Sequence, residues 1–320
     1  MKVQFNLTTS SCDLDRYRDR ADLESMMEGF DGVELMWMGE DTRKIVPPER
    51  VIGLHMACKP YWLDFWNGDL DACRDELGSD EMIRAVYGGD TRDALTAYYR
   101  AELARAMEYG AEYVVFHASD SGIEETLRRR YRHMDAEVVD GVCALMNEVF
   151  DGVTDGPALL LENLWESGLT MTDPEITARL LDGIAYPNKG LMLDTGHIMH
   201  TNLALCTQKQ ALEYIHTMLD RHGPLCRSIR GIHLNHSLNS AYIRRLIRHP
   251  PEIPADYAAR SALLFEYVFQ VDQHKPFICR GVRSLVDRLK PEYLTYEFIS
   301  SSREQHQRML IRQRAALARE

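Results

Sequence analysis

The chain is 320 residues long and lacks most of the features that would set it outside ordinary globular proteins. No stretch approaches 18 apolar residues, so nothing in it reads as a membrane span. The N-terminal MKVQFNLTTSS has no long apolar segment and reads as a first strand rather than a secretory signal. The seven cysteines, at 12, 58, 73, 143, 206, 226 and 279, include no C-x-x-C pair, and their number is odd. That pattern fits reduced, mostly buried thiols in a cytoplasm. Tandem repeats, low-complexity tracts and linkers are missing as well. An excess of basic charge is also absent: the formal net charge is −12. Proteins that hold duplex nucleic acid usually show a basic face. Arginines gather only locally, at Arg128, Arg129, Arg130 and Arg132 and again at Arg244, Arg245 and Arg248. They read either as solvated helix faces or as a local grip on a phosphate or other anion. Bound divalent cations would soften the acidity without reversing it.

What is present is an alternation of short apolar runs and longer helical stretches. The runs lie at residues 3–7, 32–37, 51–57, 113–117, 158–163, 190–194, 229–235 and 293–298. They are near-continuously hydrophobic, as parallel strands covered on both faces should be. Between them, residues 91–109 carry Leu95, Tyr98, Tyr99, Leu103 and Met107 at helical spacing. Asp173 and Pro174 supply an N-cap and a first-turn proline. Residues 135–150, 207–221 and 257–271 read as helices too. Eight strands with intervening helices predict an α/β chain forming one domain over 1–320, a closed (β/α)8 TIM barrel. Two connections, 59–90 and 237–256, are too long for plain crossovers and follow C-terminal strand ends, where barrel enzymes build their sites. They read as long substrate-covering loops at that face. Tyr61, Trp62, Phe65 and Trp66 in the first could stack on a substrate ring or pack as a lid.

Six of the runs finish on residues that bind metals. VIGLHMA gives His55, YVVFHAS His117, LLLENLW Glu162, LMLDTGH Asp194 with His197 beyond, IRGIHLN His233 and LTYEFIS Glu297. Each has an ordinary explanation alone, as a hydrogen-bonded core histidine or a helix N-cap. Together they place several carboxylates at one barrel mouth, where they would repel one another unless cations sit among them. Carboxylate and imidazole without thiolate suit Zn²⁺, with Mn²⁺ or Fe also acceptable. Gly196 is expected to let the chain turn sharply so that Asp194 and His197 both face the mouth.

These motifs, with GLHMACKPYWLDFWN around His55 and IRGIHLNHS around His233, resemble the xylose isomerase-like barrel superfamily. Within it the chain looks like the apurinic endonuclease family 2, the endonuclease IV-like proteins, from Val3 to about Gln307. The resemblance implies one of two metal sites. Sugar isomerases and epimerases of the superfamily would use one ion at Glu162, Asp194, His233 and Glu297, with Glu162 and Glu297 as acid/base groups. The nucleases need three ions and an Asp-x-His pair before the last strand, which VDQHKPF supplies as Asp272 and His274. On that pattern His55 and His117 hold one ion, with Glu162 bridging. Glu162, Asp194, His233 and Glu297 hold the second, and His197, Asp272 and His274 the third. No convincing Ser or Cys nucleophile is found. The chain departs from the nucleases where they carry Asn-Asp-Ser, having Asn235, His236 and Ser237 instead, and in its two long insertions.

The leading expectation is therefore a metal-dependent hydrolase of a small phosphoester, with one to three divalent ions and Glu162, Glu297 and His197 as catalytic residues. Abasic-site DNA cleavage and hydrolysis of a corrinoid nucleotide loop are variants of it, with duplex DNA disfavoured by the net charge. A single-metal sugar or sugar-phosphate isomerase or epimerase is the alternative, and a non-catalytic binding barrel a third. The partner is a small molecule, with no membrane involved.

Overall fold

The structure is a computed structural model and describes residues 1–319. Eight parallel strands close a barrel: β1 (Lys2–Thr8), β2 (Gly32–Met36), β3 (Val51–His55), β4 (Tyr113–His117), β5 (Ala158–Glu162), β6 (Lys189–Asp194), β7 (Ile229–Leu234) and β8 (Tyr293–Tyr296). Each strand pairs with its neighbour in sequence, and β8 closes on β1. All eight sequence-predicted strands are present, several ending one or two residues early. The expected (β/α)8 barrel is therefore the fold observed.

Side chains alternate across each strand, so residues two apart share the barrel interior. Tyr113, Val115, Leu160 and Met192 fill its middle as part of a buried apolar cluster separate from the larger core under the helices. Their inward neighbours two residues on are His117, Glu162 and Asp194. The register sets His117 opposite Glu162 and Asp194 opposite His233. A packed apolar layer thus supports a polar layer at the C-terminal rim. Gly53 on β3 makes room for that packing: a Cβ there would meet the Tyr113 ring at 2.1 Å.

The two long connections at the C-terminal face carry short helices of their own. Residues 59–90 contain three short helices, Leu63–Asn67, Leu70–Leu77 and Asp80–Tyr87, each stopped by a glycine at positive φ (Gly68, Gly78 and Gly88). Trp62, Phe65 and Trp66 are buried, Phe65 stacks on Tyr87 at 3.9 Å, and the Trp62 indole donates to the Ser119 carbonyl at 2.8 Å. The aromatic set packs rather than facing a ligand. Residues 237–256 contain the helix Ser240–Arg248, which packs with Ile123–Arg128 and Tyr257–Val271 around Trp165 and Tyr267. The thiols also differ from expectation: Cys12, Cys58 and Cys206 are exposed, and only Cys73 and Cys143 are buried. Among the described residues no helix is long and apolar enough to cross a membrane.

Candidate metal centre

The rim residues converge. Glu162, fully buried at the end of β5, sits between two groups of histidines. Its Oε2 lies 3.0 Å from His55 Nε2 and 3.2 Å from His117 Nε2. Its Oε1 lies 3.0 Å from His233 Nδ1. The same His233 nitrogen is 3.4 Å from Glu297 Oε2 and 3.9 Å from Asp194 Oδ2. A third focus forms at Asp272, whose Oδ2 is 3.2 Å from His197 Nε2 and 2.6 Å from His274 Nε2. All nine residues singled out in the sequence therefore meet at one rim. Donor atoms within 4.8 Å of one another come from His55, His117 and Glu162, from Glu162, Asp194, His233 and Glu297, and from Asp194, His197 and His274.

Local structure holds each ligand type in place. Asp194 ends β6 and caps the helix Thr195–Met199, its Oδ1 accepting from the His197 amide at 2.6 Å. Its Oδ2 accepts from Asn235 Nδ2 at 2.7 Å, and the same amide reaches Glu297 Oε2 at 3.3 Å. Gly196 lies inside that short helix, so its role is not the sharp turn expected of it. It is spatial: a Cβ there would meet Asn235 Oδ1 at 2.0 Å. Asp272 and His274 follow the helix Tyr257–Val271 and are fixed by Ser237. The Ser237 hydroxyl donates to Asp272 Oδ1 at 3.0 Å and accepts from the His274 amide at 3.1 Å. His274 holds a left-handed φ of 40°, rare for a residue with a Cβ. His236, the departure from the nuclease pattern, points away and donates from Nδ1 to the Pro276 carbonyl at 2.8 Å.

Sequence reading missed two supporting residues. Glu34, on β2, is buried with Oε1 2.9 Å from His233 Nε2. Its Oε2 accepts from the Tyr113 and Thr295 hydroxyls, and Gln4 completes this network beneath the rim. The available signal was a lone carboxylate interrupting the apolar run GVELM. Asn163 holds β6 through both backbone groups of Asp194, at 2.9 and 3.1 Å.

Charge dominates this buried site. Burial would raise the Glu162 carboxyl, but the His233 and His117 charges outweigh it and hold it well below its usual range. Burial likewise opposes protonation of His274, yet Asp272 and Glu297 raise it to about 9. His197 and His233 are raised for the same reason, against burial, by Asp194 and Asp272 and by Glu297 and Glu34 respectively. Asp194 goes the other way, pushed up to about 7 by burial with His197 pulling it down. Carboxylates this close and this buried need positive charge among them, as protons on imidazoles or as cations.

The donor set fits divalent ions by a further test. His55 Nδ1 can donate to the Met56 carbonyl at 3.0 Å, His197 Nδ1 to the Asn163 carbonyl at 2.9 Å and His233 Nε2 to Glu34. Each then turns its other nitrogen to the shared carboxylates, the arrangement that orients histidine ligands on metals.

Two solved structures share the barrel fold. A D-tagatose 3-epimerase-like protein is 15% identical over 99% of this chain and 97% of its own, with a TM-score of 0.52. The IolI protein solved with a bound zinc atom is 14% identical over 99% and 96%, with a TM-score of 0.51. Endonuclease IV from Thermus thermophilus is 17% identical over 99% of both chains, with a TM-score of 0.48. No curated protein matches the chain in sequence. The eight-stranded barrel agrees with the family model that matches residues 25–279, xylose isomerase-like TIM barrel, and the chain belongs to that family.

Proposed function

We propose that the chain is a metal-dependent phosphoester hydrolase acting on a small molecule, with up to three divalent ions, most simply zinc, at the barrel rim. One observation carries this reading: His197, Asp272 and His274 meet at Asp272 Oδ2, 3.2 and 2.6 Å away, beside a four-ligand group that is already complete. In a single-ion isomerase His197 would contact the substrate instead of a third ion. His55 and His117 would hold one ion with Glu162 Oε2. Glu162 Oε1, Asp194, His233 and Glu297 would hold the second, and His197, Asp272 and His274 the third. When bound, such ions polarise phosphoryl oxygens and make water acidic enough to attack at neutral pH.

The chain's own side chains supply the rest. Glu162 spans two groups and fixes their spacing. Glu297 Oε2 lies 3.4 Å from His233 Nδ1 and 3.6 Å from His274 Nδ1, between the second and third groups. It is the carboxylate placed to hold a water or take its proton. His197 sits between Asp194 and Asp272 and orients the third group. The net charge of −12 supports a small substrate over duplex DNA.

Metal analysis tests the proposal. About three equivalents per chain are expected, falling by about one in Asp272→Ala. Hydrolysis of bis(p-nitrophenyl) phosphate should depend on the metal and fall in the variant. One equivalent, unchanged in Asp272→Ala, would instead favour the single-metal isomerase or epimerase. Cleavage of an abasic-site oligonucleotide at low salt would return DNA as the substrate.

A further inference from the structure

Of the arginines at 128–132, three are accounted for at the surface. Arg128 pairs with Glu124 at 2.6 Å, Arg132 with Asp64 and Asp69 at 3.1 and 2.9 Å, and Arg130 is exposed. Arg129 differs. It caps the helix Ile123–Arg128 in a left-handed conformation (φ 53°), and its Nη2 donates to the His200 carbonyl at 2.8 Å. Its Nη1 is buried and makes no hydrogen bond of good geometry, although Tyr267 lies close enough to feel its charge, and among the described residues Arg129 forms no ion pair within 4.0 Å. A buried guanidinium nitrogen without a hydrogen-bond partner is costly, and Glu166, the acid whose charge Arg129 feels, makes no ion pair with it within 4.0 Å, which leaves room for an anion.

The groups around it are also unpartnered. Trp165 Nε1, Glu166 Oε2 and His200 Nε2 belong to side chains 6%, 7% and 1% exposed, and none has a hydrogen-bond partner. They sit against the metal centre: the Trp165 ring lies 5.2 Å from the His197 ring and 4.9 Å from the His200 ring. Arg129, Trp165, Glu166, Ser167 and Thr201 line one cavity of about 390 Å³. Asp135 also borders it but is engaged by the Ser167 hydroxyl at 3.2 Å and the Gly168 amide at 2.9 Å.

We propose that Arg129, Trp165 and Glu166 form an oxyanion subsite beside the metal centre, holding a carboxylate or phosphate group of the substrate. That group is distinct from the phosphoryl group the rim would engage, so the inference rests on the hydrolase reading and adds to it a substrate with a second anionic end. Guanidinium and indole N–H both donate, as an oxyanion requires. Burial, against the pull of Arg129 and His197, pushes the Glu166 carboxyl up to about 7, and in its protonated form it donates to the same anion.

Calorimetric titration of chelator-treated, metal-free protein with inorganic phosphate and with acetate tests the subsite apart from the metals. One of the two anions should bind. Arg129→Gln should weaken it at least about tenfold, Arg129→Lys less, and Arg132→Gln not at all. Preference for phosphate or for acetate identifies the group. Circular dichroism of the variants guards against misfolding, and Arg129→Lys keeps the test alive if Arg129→Gln fails to fold. No binding of either anion by the wild type, or equal binding by Arg129→Gln, overturns the subsite. The hydrolase reading fails separately, if restoring metal adds no phosphate binding.

Discussion

Replacing Glu34 by Gln is the most informative single change outside the nine rim residues. Glu34 accepts from His233 Nε2 at 2.9 Å and from Thr295 Oγ1 at 3.1 Å, and it is buried, so solvent does not screen the interaction. Glutamine keeps the shape but removes the charge. It also turns an amide N–H toward hydroxyls that now donate to Glu34, so one contact must be lost or reversed. Two effects compete. With metal bound, His233 is neutral, and loss of the carboxylate partner loosens its orientation and lowers its basicity. Such changes cost metal affinity roughly 10–100-fold, or about 1.4–2.7 kcal/mol. Without metal, burial works against the His233 proton, and Glu297, Glu34 and Glu162 all favour it, so removing Glu34 weakens that competing state too. The first effect should win, because Glu162 and Glu297 remain at 3.0 and 3.4 Å to hold the proton in the metal-free protein. Competition with a chromophoric chelator measures the affinity, and the metal-free variant should unfold cooperatively. Unchanged or tighter metal binding in Glu34→Gln would refute the reasoning, because Glu34 would then serve an imidazolium rather than a metal ligand.

Two further outcomes follow from packing and burial. Gly196→Ala drives a methyl into Asn235, which must release Asp194 and Glu297; a loss of roughly 1–3 kcal/mol and reduced metal content are expected, read by denaturation and metal analysis. His306, packed between Phe5 and Phe298, has its pKa lowered by burial from 6.5 to about 4. The unfolded chain therefore binds the proton first, and stability contributed above pH 6.5 is lost as pH falls toward about 4, by roughly 3 kcal/mol. Denaturant titrations of wild type and His306→Leu at several pH values should show a shallower acid loss in the variant, and parallel curves would exclude His306 as the source.

The barrel was legible because parallel strands covered on both faces leave continuous apolar runs that few other elements produce. Their ends were less so. Residues such as Trp37, Asn163 and Phe298 extend the apolar or polar pattern past the last ladder bond, and pattern alone does not register where pairing stops. The 59–90 segment misled for a different reason. Its helices are at most eight residues long, too short to show periodicity, and each ends on a glycine that reads as loop. Burial of Trp62, Phe65 and Trp66 is a tertiary fact that their local composition does not carry.

At the site, legibility followed depth. A ligand-type residue that ends an apolar run stands out against it, and six of the nine residues end a strand or lie one residue short of or past its end. Asp272 and His274 lie on a loop after Val271 and were found only through resemblance, since nothing local links them to the rim. Glu34 was hidden because it sits mid-strand, where a lone carboxylate in GVELM is easily assigned to an outward face. Its inward direction becomes evident only once β2 is registered against β1 and β3, with Asn6 and Gly53 beside it. Arg129 was hidden among three neighbours of the same type, and only the fold separates one inward guanidinium from its solvated companions. Strand-end chemistry therefore reveals the residues that converge at the rim. The residues that hold that rim in place, and those of the proposed oxyanion subsite, lie one layer away and depend on the register.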